Sequence, residues 1–211
     1  MVESDMAESD MAESIIYHDG NRRLQELFQS RPIADRLEAK LARTSFSAQD
    51  RMLLEGAIYF FIATADAAGR PDCSFKGGPP GFVRVTAADE LAFPDYDGNG
   101  MFKSLGNVLV NPNVGLLFID MHGSGRRLRV NGEARLSRDD ALLASTVGAQ
   151  LMVRVKARAI FPNCPRYIPK LGLTEASPYI PAAGVDALEP AWKGFDDFKD
   201  VVHPRQPTAK G

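Results

Sequence analysis

Ala57-Ile-Tyr-Phe-Phe-Ile-Ala-Thr64, a turn over residues 66–70, and then Pro71-Asp-Cys-Ser-Phe-Lys76 form the stretch that decides the architecture. The first segment is aromatic and β-branched, the residue types that suit a pleated, half-buried surface. The Gly-containing turn after it is short, so the two segments read as an antiparallel hairpin. Gly77-Gly-Pro-Pro-Gly81 then breaks the second strand. Outward from this pair, residues 82–86 and 90–94 read as two more strands around a turn at 87–89. Residues 95–100 are a loop. Residues 101–110 read as a helix with Phe102, Leu105 and Leu109 on one face, stopped by Asn111-Pro112. Residues 114–120 are an apolar strand expected at the edge of a barrel, and Gly123-Ser-Gly125 is a turn. Residues 127–136 form a strand with charges on one face, Ser137 caps a helix over 138–145, and 151–161 is a long last strand. Six or seven strands in close succession, interrupted by one mid-sheet helix, predict an α+β, mainly β chain. The pattern favours an antiparallel barrel over a βαβ layout.

The flanks are of another texture. Leu24, Leu27 and Phe28 share a helical face, and Pro32 opens a second segment carrying Ile33, Leu37 and Leu41. Ser47, with Asp50 three residues on, approximates a capping box for a helix over 48–55. The acidic start holds a direct repeat, Glu3-Ser-Asp-Met-Ala7 and Glu8-Ser-Asp-Met-Ala12, whose period is too short for a solenoid. After Asn163-Cys-Pro165 the chain is Pro-rich (Pro169, Pro178, Pro181, Pro190, Pro204, Pro207) and reads as a wrapped tail. The expected organisation is an N-terminal extension with helices (1–46), the barrel (47–165) and the tail (166–211).

Composition bounds the function. The 211 residues are 45% hydrophobic, enough for one sizeable core, and 25 Lys+Arg against 27 Asp+Glu leave a net charge of −2. That balance argues against a nucleic-acid partner. No apolar run reaches the roughly 18 residues of a membrane span, and the acidic start does not resemble a signal peptide. A soluble, cytoplasmic protein is expected. Cys73 and Cys164 are too isolated for a disulfide framework or metal knuckle, and Cys73 is expected to face the barrel interior or a neighbouring strand.

Several chemical motifs fail on inspection. Gly98-Asn-Gly-Met-Phe-Lys103-Ser104 mimics the end of a phosphate-binding loop, but Phe102 stands where a glycine is required. Gly-x-Gly-x-x-Gly and the zinc signatures are absent, and His18, His122 and His203 are scattered through loops. What remains is a set of small and anion-friendly groups. Ser74-Phe75-Lys76 precedes the Gly77-Gly78 break. Lys103 and Ser104 lie in the first turn of the mid-sheet helix, where free N–H groups and the helix dipole favour an anion, and Asn107 is one turn beyond. On spacing alone, Lys103 reads first as a solvated surface charge and Ser104 as a first-turn filler.

Taken in order, Gly69-Arg-Pro71, Ser74-Phe-Lys76-Gly-Gly-Pro-Pro-Gly-Phe-Val83, Leu91-Ala-Phe-Pro94, Gly98-Asn99, Ser104-Leu-Gly-Asn107, Asn111-Pro112, Val114-Gly-Leu-Leu-Phe118 and Arg127-Leu-Arg-Val-Asn-Gly132 closely resemble the pyridoxamine 5′-phosphate oxidase-like flavin-binding split-barrel family. Within it the chain looks like the subgroup of predicted flavin-nucleotide-binding proteins. The resemblance spans about residues 50–165 and implies a six-stranded split β-barrel, usually a homodimer, with FMN in clefts at the subunit interface. It implies an oxidoreductase acting on a small molecule, with a reduced nicotinamide as donor. A flavin-binding module without turnover, or the same barrel holding deazaflavin F420 or haem, are the alternatives. Carried onto this chain, Ser74, Phe75, Lys76 and Gly77 would run along the flavin, and Phe93 and Pro94 would end the strand beneath it. Lys103 and Ser104 would grip the phosphate with Lys76 as a second cation, Asn107 would stand one turn on, and Arg129 would reach the far edge of the ring, from the same or the other subunit. The Arg-x-His-x-Arg-like substrate element of the oxidase itself has no counterpart in Pro190-Ala-Trp-Lys-Gly-Phe or Val202-His-Pro-Arg205, which argues against pyridoxine phosphate as substrate. The Gly77–Gly81 break is expected to leave room above the flavin for a bulkier one.

Overall fold

The computed structural model describes residues 14–121, 125–164, 171–172, 175, 177–186, 188–197 and 199–201. The direct repeat, His122, most of the turn at 123–125, His203, Pro165, Pro169, Pro204 and Pro207 lie outside them. The chain divides into two compact units, Met1–Ala42 and Arg43–Gly211.

The first unit pairs α1 (Asp19–Leu27) with α2 (Arg31–Leu41). His18 is a helix cap: its Nδ1 accepts the Gly20 N–H, while Asn21 Oδ1 accepts the His18 N–H, closing a capping box. Arg22 ties the helices together through Asp35 at 2.6 Å and stacks over the Tyr17 ring. The expected apolar stripe exists, yet Leu24, Leu27, Phe28, Ile33, Leu37 and Leu41 all stay exposed. Polar contacts carry much of this hairpin.

The second unit opens where Arg43 bridges Ile160 by two backbone hydrogen bonds. α3 (Ala48–Glu55) forms with the expected capping box, Ser47 and Asp50 exchanging hydrogen bonds. Burial works to raise the Asp50 carboxyl, but the Arg43 guanidinium and Ser47 more than offset it and hold the group below its ordinary range.

Seven strands follow: β1 (Tyr59–Ala65), β2 (Pro71–Gly77), β3 (Arg84–Val85), β4 (Glu90–Tyr96), β5 (Asn113–Ile119), β6 (Arg127–Ser137) and β7 (Ala149–Asn163). α4 (Lys103–Val110) separates β4 from β5. The strands make one antiparallel sheet in the order β2-β1-β5-β6-β7-β4-β3. The sheet curls round one core, because Phe60 of β1 touches Phe93 of β4 at 4.9 Å between ring centroids and Phe118 of β5 at 4.8 Å. The terminal strands β2 and β3 do not pair with each other, so the barrel is split. The strand beyond the six that the resemblance implies is the two-residue β3, which falls within the strand read over 82–86. Its free edge is covered by α3: Arg51 donates to the Val85 carbonyl, and Glu55 accepts the Val85 N–H.

Other expectations need correction. The apolar strand expected at an edge is β5, an interior strand between β1 and β6. The helix expected over 138–145 is a 3₁₀ turn, Ala141–Ser145, capped by Asp140, and Ser137 is the last residue of β6. α4 buries Ser104, Leu105, Asn107 and Val108, leaving Phe102 and Leu109 outside. At Gly132 a bulge brings β7 so close that a Cβ would lie 2.1 Å from the Lys156 carbonyl oxygen, and only glycine fits.

Candidate cofactor site

β2 is hydrogen-bonded only to β1 among the described strands, and its residues alternate between two faces. Asp72, Ser74 and Lys76 oppose Thr64, Ile62 and Phe60, the buried side of β1, and are half-buried there. Cys73 and Phe75 point to the outer face; Cys73 is exposed there, contrary to the expected inward or strand-facing position. The Phe75 ring is 59% exposed, stacks on Tyr59 at 5.5 Å and meets Phe61 edge-on. Gly77 ends the strand close beneath the Phe75 ring. A Cβ at Gly78 would fall 2.5 Å from the Phe82 ring, which already fills that volume.

The facing wall is β4. Phe93 and Pro94 are buried, and Phe93 lies edge-on to Phe60 in the core. The next residue is the informative one. Asp95 is 9% exposed, accepts a hydrogen bond from Gln150 Nε2 at 2.8 Å and lies 3.9 Å from Lys76 Nζ. β2 ends the sheet order and β4 stands second from its other end, with no backbone pairing between them, so this ion pair reaches across the split. Burial raises the Asp95 carboxyl above its ordinary value; Gln150 and Lys76 pull it down, and Asp97 pushes it up.

The loop over 97–102 then leads to α4. Phe102 sits there in the left-handed region at φ 46°, a conformation that side chains rarely adopt. No side chain caps the helix. Lys103 is exposed in the first turn, where backbone N–H groups have no intrahelical partner. Ser104 is buried, its Oγ 3.4 Å from an Asp72 carboxylate oxygen. Asn107 is buried and donates to Thr64 Oγ1 at 3.0 Å, which seats α4 on β1. Ser74, Lys76, Lys103 and Ser104 thus border one side of the split. Lys76 and Asp72, which faces Ser104, are about 13 Å apart along β2, with Ser74 between them.

Arg129 is elsewhere, exposed on the outer face of β6 in a row that runs Phe75, Phe61, Leu117, Arg129, Phe161 across five strands. Beside it, Arg127 Nε is buried without an acceptor among the described residues. Sequence reasoning missed Asp95, Gln150, Asp72 and Thr64, each of which takes its role from a partner far along the chain. A cavity of about 320 Å³ lies apart from these groups, between α3 and the ends of β1 and β5, lined by Met52, Leu53, Tyr59, Phe118, Asp120 and Arg126 among others. Among the described residues there is no metal-type cluster of His, Cys, Asp and Glu, and no helix long and apolar enough to cross a membrane.

An unclosed antiparallel barrel with cationic groups beside its split defines a split-barrel protein. Residues 46–189 match the pyridoxamine 5′-phosphate oxidase family, and the chain belongs to that family, which includes oxidases. No curated protein matches the sequence. Several solved structures resemble it loosely. HupZ of Group A Streptococcus is 16% identical over 60% of this chain and 100% of that one, with a TM-score of 0.45. A putative pyridoxamine 5′-phosphate oxidase from Lactobacillus delbrueckii is 21% identical over 56% and 95%, with a TM-score of 0.44. An FMN-binding protein from Syntrophomonas wolfei is 12% identical over 69% and 97%, with a TM-score of 0.42.

Proposed function

We propose that the chain binds FMN along the split and works as an FMN-dependent oxidoreductase on a small molecule other than pyridoxine phosphate. The observation that carries this reading is the half-buried face of β2, which meets the uncapped start of α4, with Lys103 in its first turn, at Asp72 and Ser104 and leads from there through Ser74 to Lys76. A phosphate needs cations and N–H donors, and this donor set supplies both. Lys103 and the first-turn amides of α4 hold the phosphate, and Ser74 and Lys76 line the path from it. Asn107 and the Ser104 hydroxyl position α4 on β1 and β2. FMN when bound supplies the redox chemistry; the chain supplies position, charge and restricted water.

A homodimer completes the site. The outer row of Phe75, Phe61, Leu117 and Phe161 is an apolar band with Arg129 in it, and a second copy laid on that band would cover it and bring Arg129 toward the neighbouring split. A reduced nicotinamide is the donor this chemistry calls for. The test is to purify the chain, release any bound cofactor and identify it by mass, then add NADH or NADPH without oxygen. A yellow protein that releases FMN and bleaches supports the enzyme. A colourless protein that cannot take up FMN contradicts the proposal.

A further inference from the structure

The cavity between α3 and the ends of β1 and β5 has a volume of about 320 Å³. A well-packed interior leaves few voids larger than a water molecule, and a void of about 150 Å³ already holds one benzene. The apolar walls come from three places: Met52 and Leu53 of α3, Ala57 and Ile58 of the link into β1, and Phe118 of β5. The polar groups come together at the strand ends. Tyr59 Oη donates to the Ile119 carbonyl at 3.1 Å, and the next residue, Asp120, donates its N–H to the Arg126 carbonyl at 2.8 Å. The Arg126 guanidinium reaches back to α3, with Nη1 3.5 Å from the Gln49 carbonyl and Nη2 3.7 Å from the buried Asp50 carboxylate. Burial, and after it the Asp120 charge, raise the Tyr59 phenol above its ordinary value. The phenol keeps its proton and gives it to Ile119, so what its oxygen can offer a ligand is an acceptor, as is the Asp120 carboxylate.

We propose that this cavity is a second binding site, and that its ligand is an uncharged aromatic molecule of two fused rings carrying one N–H or O–H donor. The volume is about twice what a single benzene ring needs, which sets the size. The apolar walls take the rings, and the Met52 sulfur is a favourable neighbour for an aromatic edge. The acceptors at the strand ends take the donor. Asp120 and Arg126 line the cavity together, so a full charge of either sign on the ligand meets a like charge as well as an opposite one, and a neutral, dipolar ring fits best. The lining shares no residue with Ser74, Lys76, Lys103 or Ser104, so this site stands apart from the proposed flavin site.

The test titrates the full chain, by NMR, with two probes of the same shape: indole, which carries an N–H, and indene, which does not. Indole is expected to bind saturably, one per chain, with a dissociation constant below about 1 mM. Indene is expected to bind about two- to tenfold more weakly, the weight of one neutral hydrogen bond. Ala57→Leu, which fills the cavity from its wall, is expected to weaken indole about tenfold or more. Should that variant fail to fold, the wild type decides: bound indole is expected to show nuclear Overhauser contacts to the methyl groups of Met52 and Ala57, and contacts to other residues only overturn the proposal. Equal affinity for indole and indene overturns it as well, since the polar end of the cavity then recognises nothing. So does the absence of saturable binding of either probe, or full indole affinity in a folded Ala57→Leu. None of these results depends on FMN, whose own titration tests the cofactor reading separately.

Discussion

β2 and β4 border the open side of the same barrel, yet they are built to different rules. Every residue of β2 keeps some exposure, whereas Leu91 to Asp95 of β4 are buried without a break. The difference is one of position in the sheet. β2 is a terminal strand, bonded on one side, while β4 is bonded along its length to β7 and, at Leu91 and Ala92, to β3 as well. An edge strand leaves side chains free to meet a ligand. A strand packed into the core keeps them there, and the single buried acid of β4, Asp95, becomes an electrostatic partner for the edge.

The largest expected effect breaks the enclosed side. Phe93→Ala removes a fully buried ring and is expected to destabilise the unit by about 3–5 kcal/mol in chemical denaturation. A loss no greater than that of Phe75→Ala would erase the contrast between the strands. Next comes the ligand side: Lys103→Ala is expected to weaken FMN about ten- to a hundredfold in a binding titration, with little change in the melting temperature of the free protein. Lys156→Ala, an exposed lysine on β7, is the control and should leave affinity unchanged. If the two variants bind FMN alike, Lys103 is a solvated surface charge.

A smaller effect concerns pH. Arg154 joins Glu90, at the start of β4, to Asp140 and holds the Asp140 carboxyl at about 2. A lowered carboxyl contributes stability that is present above its ordinary value of 3.8 and is lost as pH falls toward about 2. Acid unfolding curves of Asp140→Asn should therefore lose part of their slope in that window and match the wild type in shape above it. The smallest effect is on the outer face. Within one chain Phe75→Ala should change stability by less than about 1 kcal/mol, since the ring packs on Tyr59 and Phe61 but is largely exposed, and its larger effect is expected on the proposed dimer.

Much of this was legible in the sequence. The strand-forming residue types and the turns placed all seven strands within a few residues, β3 being shorter than the 82–86 read for it, and Ser47 with Asp50 announced α3. The 3₁₀ turn was misread because Ser137 resembles a cap, whereas Asp140 takes that role and only five residues follow it before the chain turns to β7. α4 was rotated in the reading, since Phe102, Leu105 and Leu109 have helical spacing while the buried face is carried by Ser104 and Asn107 bonded to Asp72 and Thr64. At the site, β2 could be singled out by its residues. Asp95 could not. Its burial and its pairing with Lys76 arise only when the sheet curls until its distant strands meet.

The central claim is that the split takes the phosphate of a flavin nucleotide, and the most direct measurement is a titration of the purified chain with FMN and with riboflavin, followed by flavin fluorescence. The account predicts saturable FMN binding that exceeds riboflavin binding by about tenfold or more, the weight of at least one charge-assisted contact. Equal affinity for the two flavins, or no binding of either, would contradict it.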